Sequence, residues 1–147
     1  MSRTRLLDRE AGTAMSALSA AAKKGLGDPV LAELVMIRAS QLNHCAFCLD
    51  MHLQVARGNG ESEDRIQLLN AWEETESLYS ERERAALALT EAVTVLTDGF
   101  VPDDVYERAA KQFDEPGLAH LIALITAINS WNRLMVSRRV APGGHRP

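Results

Sequence analysis

Residues 28–60, DPVLAELVMIRASQLNHCAFCLDMHLQVARGNG, read as two helices joined by a short turn, and both cysteines of the chain fall at that turn. Asp28 is an N-cap residue type, and Pro29 stands in the first turn, where its missing N–H is not needed. Leu31, Leu34, Val35 and Arg38 then lie on neighbouring turns of a helix that should end near residues 41–43. A second helix is predicted from His44 or Cys45 to Gly58, with GNG as its stop. The ten residues NHCAFCLDMH, from Asn43 to His52, hold both cysteines and two of the four histidines.

The helical period continues outward. Ser62 caps EDRIQLLNAW, with Glu63 and Asp64 at the positive end of the helix dipole. Ser80 caps ERERAALALTEAVTVLT, Glu83 stands at the N3 position of a capping box, and Ala85, Leu89, Ala92, Val93 and Leu96 form the apolar stripe. DGFVPDD breaks the pattern, and Asp103 or Asp104 caps DDVYERAAKQF. After DEPG, the segment LAHLIALITAINSWNRLMVSRR is apolar nearly all round, as expected of a helix buried in a core or between subunits. The last stretch, residues 141–147, has the composition of a flexible tail. With no alternating strand pattern, repeat or linker, the chain is predicted to be one all-α domain, residues 1–147, of about six helices with its core over about residues 29–134.

Composition excludes several classes of function. At 147 residues a single core is sufficient for folding, and 46% apolar with 24% charged residues is ordinary for a globular chain. A net charge of −4 gives no basic surface for nucleic acid. The first twenty residues lack the apolar core of a signal peptide, so a cytoplasmic protein is expected. The longest apolar run, LAHLIALITAI, is too short to span a bilayer, which needs about 20 residues.

In a reducing compartment, two cysteines three apart are not a structural disulfide framework. Cys45 and Cys48 at a helix start have β-carbons about 5–6 Å apart in regular geometry, so a disulfide can form with local adjustment. His52 shares their face, and the free amides of a helix start favour a thiolate. These residues describe a reactive dithiol with an imidazole one turn away. Two alternatives remain open on spacing alone. One is a metal site, completed poorly by Glu33 or His44 because no second cysteine pair or HxxxH exists; the other is a buried, silent pair.

The longer pattern, Glu33, eleven residues, Cys45, two residues, Cys48, three residues, His52, resembles the E-x11-C-x2-C-x3-H signature of the alkylhydroperoxidase AhpD-like branch of the carboxymuconolactone decarboxylase superfamily. ARGNGESEDRI, YSERERAALALTEAVT and INSWNRL also look like later parts of that family, so the likeness runs from about Pro29 to Leu134. The resemblance implies an all-helical fold assembled as a homo-oligomer, a trimer or hexamer, with no bound cofactor. It implies that Glu33 is the terminal base, His52 relays a proton through a water, Cys48 attacks and Cys45 resolves the sulfenic acid as a disulfide. A small hydroperoxide or disulfide would be the substrate, and a dithiol such as a lipoyl group or a thioredoxin-like protein would restore the thiols. The founding peroxidases of the branch carry a histidine directly before the second cysteine; this chain has Phe47 there and His44 before the first. That departure bears on peroxidase activity more than on the dithiol.

Other readings stay beside it. Carboxymuconolactone decarboxylases proper lack the cysteine pair, and their activity on a lactone should survive its loss. A helical oligomer that senses oxidants, or a ligand-binding module with inert thiols, would show no turnover. Trp72, Trp131 and Tyr79 are read as packing residues, His120 as a satisfied core or interface histidine, and His44 as a helix-entry residue.

Overall fold

The computed structural model describes residues 2–143. Among them are seven α-helices and two 3₁₀ segments, with no strand: 3₁₀ Arg3–Arg5, α1 Arg9–Leu26, α2 Pro29–Leu42, α3 Ala46–Gly58, α4 Glu63–Gln67, 3₁₀ Leu69–Glu74, α5 Glu81–Thr94, α6 Asp103–Ala110 and α7 Glu115–Arg138. No helix is long and apolar enough to cross a membrane.

α2 is the axis of the bundle, in contact with α1, α3, α5 and α7. Its seven consecutive residues Leu31 to Ile37 are all buried, so this helix has no solvent face along that stretch. Leu31, Leu34 and Ile37 are fully enclosed, and each contributes about 1.5–3 kcal/mol by leaving water. Asp28 caps α2 through Oδ1, which accepts from Leu31 N at 3.0 Å, with Pro29 in the first turn as predicted. The Ser80–Glu83 capping box of α5 and the Ser62 cap of α4 also form as expected. α7 lies along α1 and α2; from Leu121 to Asn132 only Thr126 is exposed.

Four expectations are corrected. The count of about six helices omitted α1, which closes the core against α7 with only Ala22 and Leu26 buried. Its apolar positions do follow a helical period, at Ala11, Met15, Leu18, Ala22 and Leu26, but only three of them carry large side chains. The helix expected through Trp72 stops at Gln67, and a 3₁₀ segment follows. There residues three apart eclipse, so Leu69 and Trp72 both turn inward, and Trp72 Nε1 donates to Glu91 Oε1 at 2.7 Å. α6 is entered from Pro102 without a side-chain cap; Asp103 and Asp104 sit in its first turn instead. α7 begins inside DEPG, where Asp114 Oδ1 accepts from Gly117 N at 2.8 Å.

Of the expected tail, residues 141–143 are described, and Gly143 N donates to Asp50 Oδ2 at 2.9 Å; residues 144–147, with His145, lie outside the described residues.

His120 is not satisfied as expected: its Nδ1 is buried with no hydrogen-bond partner among the described residues, and its ring sits on bare backbone at Gly25. A Cβ at Gly25 would lie 2.0 Å from the ring. Gly25→Ala is expected to destabilise the fold by about 1–3 kcal/mol, more than the roughly 1 kcal/mol gained in helix propensity. Adding His120→Ala should remove that penalty, which denaturant unfolding of the single and double variants measures.

Candidate active site

The turn between α2 and α3 is built to place the cysteines. Asn43 ends α2, His44 takes a left-handed backbone (φ 53°), and Cys45 N returns to Ser40 O at 3.0 Å. A chain of amides fixes this turn to α7. Asn43 Nδ2 donates to Asn129 Oδ1 and Asn132 Oδ1, both at 2.9 Å, and Asn132 Nδ2 donates to Ser40 Oγ at 3.0 Å. Asn129 Nδ2 reaches on to Thr94 Oγ1 of α5 at 2.9 Å. Asn132 is fully buried, so Asn132→Ala removes one hydrogen bond from each of two partners, Asn43 Nδ2 and Ser40 Oγ. The expected loss is about 1–3 kcal/mol in chemical denaturation, with faster proteolysis at the turn.

Cys45 is the N-cap of α3, with φ −89° and ψ 94°, so it stands outside the helix that Cys48 belongs to. This is the local adjustment that the spacing required. The Cα atoms are 5.3 Å apart, within the range of a disulfide, and the two sulfurs are bonded. Cys48 N donates to Cys45 Sγ at 3.3 Å, the place an oxygen takes in an ordinary cap. Both residues are buried, and Cys48 sits one α3 turn before His52.

Glu33 projects from the middle of α2 and is only 3% exposed; its Oε2 lies 2.8 Å from His52 Nδ1. With the carboxylate ionised, Nδ1 carries the proton and donates it, which leaves Nε2 as the basic nitrogen. Lys23 Nζ of α1 donates to Glu33 Oε1 at 3.4 Å, so the second carboxylate oxygen meets a cation that is itself partly exposed. Glu33 is thus a buried acid held between a lysine and an imidazole.

Cys48 and His52 open onto one cavity of about 340 Å³, whose wall is mainly Met36, Phe47, Met51, Ile128, Trp131 and Met135. Lys23 and Ser19 reach its edge, and Trp131 Nε1 donates to Ser19 Oγ at 3.0 Å. The structure therefore brings Glu33, Cys45, Cys48 and His52 together, with three of the four supplied by α3 and its cap and one by α2. Tyr79 and Trp72 are buried packing residues. Trp131, also read as packing, lines the cavity beside the sulfur. Lys23 was missed because it lies on α1, outside the motif. Asn129 and Asn132 were missed too, although amides three apart in an apolar helix are a signal of a buried polar network.

Among the described residues no three or more His, Cys, Asp and Glu side chains are grouped to hold an ion, with the two cysteines bonded to each other. Glu33 is engaged by His52 and Lys23.

Comparison with known proteins finds relatives of this chain and of its fold. Residues 9–92 match the model of the carboxymuconolactone decarboxylase family. The uncharacterized protein YdfG of Bacillus subtilis is 47% identical over 105 residues, 71% of each chain. YnjA of Escherichia coli, also uncharacterized, is 38% identical over 99 residues, 67% of this chain and 53% of its own length. A crystal structure from Agrobacterium tumefaciens, of a protein of unknown function described as a candidate antioxidant defence protein AhpD, superposes with a TM-score of 0.87 at 36% identity over 92% of both chains. The debrominase Bmp8 shares the fold, with a TM-score of 0.68 at 14% identity over 94% of this chain and 90% of its own.

Proposed function

The chain belongs to the carboxymuconolactone decarboxylase family, on its AhpD-like branch, and on that premise we propose that it is a dithiol oxidoreductase that reduces small organic hydroperoxides or exchanges disulfides. The observation that carries the reading is that Cys48 shares a cavity with His52, while His52 is held at 2.8 Å by the buried carboxylate of Glu33. Glu33 orients the imidazole, and His52 takes the Cys48 proton directly or through a water. The resulting thiolate is the nucleophile.

Cys48 attacks the distal oxygen of the hydroperoxide; the O–O bond breaks, an alcohol leaves with a proton, and Cys48 becomes a sulfenic acid. Cys45 then attacks that sulfur, water is lost, and the disulfide forms before irreversible oxidation can follow. Two electrons from a thiol reductant, a lipoyl-type dithiol or a thioredoxin-like protein, restore the pair. The apolar cavity suits an organic rather than a highly polar peroxide. Such a cycle fits a reducing compartment such as the cytoplasm. Self-association as a trimer or hexamer belongs to the same reading, and exposed Leu96 and Phe100 provide apolar surface for it.

The test is thiol counting with intact mass on reduced protein, before and after one equivalent of cumene hydroperoxide. Loss of both thiols and two hydrogens, reversed by dihydrolipoamide, is expected. Two surviving thiols would remove the peroxidase step. Activity on a carboxymuconolactone that persists in a variant lacking both cysteines would replace this reading with decarboxylation.

A further inference from the structure

A second cavity, of about 480 Å³, lies on the side of the other cysteine. Cys45 lines it and Cys48 does not, whereas Cys48 lines the first cavity and Cys45 does not. Phe47 and Met135 belong to both and stand between them. The two spaces differ in chemistry. The cavity at Cys48 is walled mainly by apolar side chains with Lys23 and His52 as its ionisable groups. The cavity at Cys45 carries Arg3, His44 and Arg139, all exposed, and no carboxylate among its lining residues. Arg3 is fixed there, its Nε and Nη2 donating to Ser137 O at 3.0 and 2.7 Å. Arg139 ends α7 in a left-handed conformation, beyond the last helical residue.

We propose that the disulfide is served from two sides, and that the cavity at Cys45 admits the reductant, a small dithiol that carries a carboxylate. The proposal rests on the dithiol oxidoreductase reading above and names the reductant class and its door. The size is that of a small-molecule pocket. Two guanidiniums and an imidazole, with no carboxylate among the described lining residues, attract an anion in a net acidic protein, where bulk charge would repel one.

The chemistry then divides cleanly. One thiol of the reductant loses its proton and attacks Cys45 Sγ; the Cys45–Cys48 bond breaks, and Cys48 leaves as a thiolate into the cavity that holds His52, through which that proton can reach it. A thiolate stabilised in that cavity is the better leaving group. The second thiol of the same reductant loses its proton and attacks its own sulfur in the mixed disulfide. Cys45 departs as the second thiolate, and the reductant leaves as a cyclic disulfide. Two electrons pass to the protein, and the two protons of the dithiol balance the two restored thiols.

The experiment compares dihydrolipoate with dihydrolipoamide, equal dithiols that differ by one carboxylate, as reductants of the oxidised full chain in stopped flow. Dihydrolipoate should be at least about fivefold faster at low salt, and the gap should close as salt is raised. In Arg139→Gln and in Arg3→Gln the ratio of the two rates should fall toward one. Because the salt series uses the unaltered protein, it decides the matter even if a variant folds poorly. A mixed disulfide formed with 3-mercaptopropionate, trapped by acid and alkylation, should map to Cys45, with the alkyl group on Cys48. Equal rates for the two reductants at every salt, or an adduct on Cys48, would overturn the proposal and leave the dithiol cycle standing. A disulfide that neither reductant opens would overturn the cycle itself.

Discussion

Reduced Cys48→Ser protein is expected to keep its remaining thiol when treated with an organic hydroperoxide, while reduced Cys45→Ser protein loses its thiol and accumulates sulfenic acid. The asymmetry follows from where the two sulfurs face. Cys48 shares the cavity of about 340 Å³ with His52, and Cys45 is the N-cap residue that lines a different space. Cys48 shares its cavity with an imidazole that a buried carboxylate orients, whereas the cavity at Cys45 has His44 but no carboxylate among its lining residues. On the proposed reading Cys45 resolves rather than attacks. Without it the sulfenic acid has no partner thiol in the chain, since the protein has two cysteines. Trapping with a sulfenic-acid-specific dione followed by intact mass reads the result. The reverse pattern, a dead Cys45→Ser and a reactive Cys48→Ser, would exchange the two roles.

Glu33→Gln should slow the reaction of Cys48 with hydroperoxide by about 10²–10⁴-fold, the range over which a positioned base acts. The substitution keeps the shape of the side chain, and its amide oxygen can still accept from His52 Nδ1. What it removes is the buried negative charge that favours a proton-accepting Nε2, together with the partner of Lys23. A rate loss without a change in fold, followed by circular dichroism and stopped-flow thiol consumption, separates electrostatics from packing. His52→Phe should lose as much, and the double variant little more than either single one, because both act through the same proton. A Glu33→Gln enzyme that reacts at the normal rate would reduce Glu33 to a structural acid.

Much of this was legible in the chain. Caps at Asp28, Ser62 and Ser80 marked helix starts because a short polar side chain there has one dominant use. The four residues at three fixed spacings marked the site. Glu33 was ambiguous for a physical reason: α2 is buried on every side between Leu31 and Ile37, so no polar face existed against which to place an acid. α1 was overlooked because its helical stripe, Ala11, Met15, Leu18, Ala22 and Leu26, holds few large side chains, and its close packing, Gly25 against His120, shows only in the fold. The cavity wall was also hidden. Trp131 and Met135 reach the sulfur from α7, more than eighty residues along the chain from Cys48, and only the folded arrangement joins them. The asparagines of the Asn43, Asn129 and Asn132 network were visible as residues, but their partnership across α2 and α7 was not.

The central claim, that the Glu33–His52 pair makes Cys48 a thiolate, is tested most directly by the pH dependence of alkylation of Cys48 in the reduced Cys45→Ser protein, with and without Glu33→Gln. The account predicts half-maximal reactivity clearly below the free-thiol value of about 8.5, moving up when Glu33 becomes Gln. Half-maximal reactivity near that free value in both proteins would contradict it.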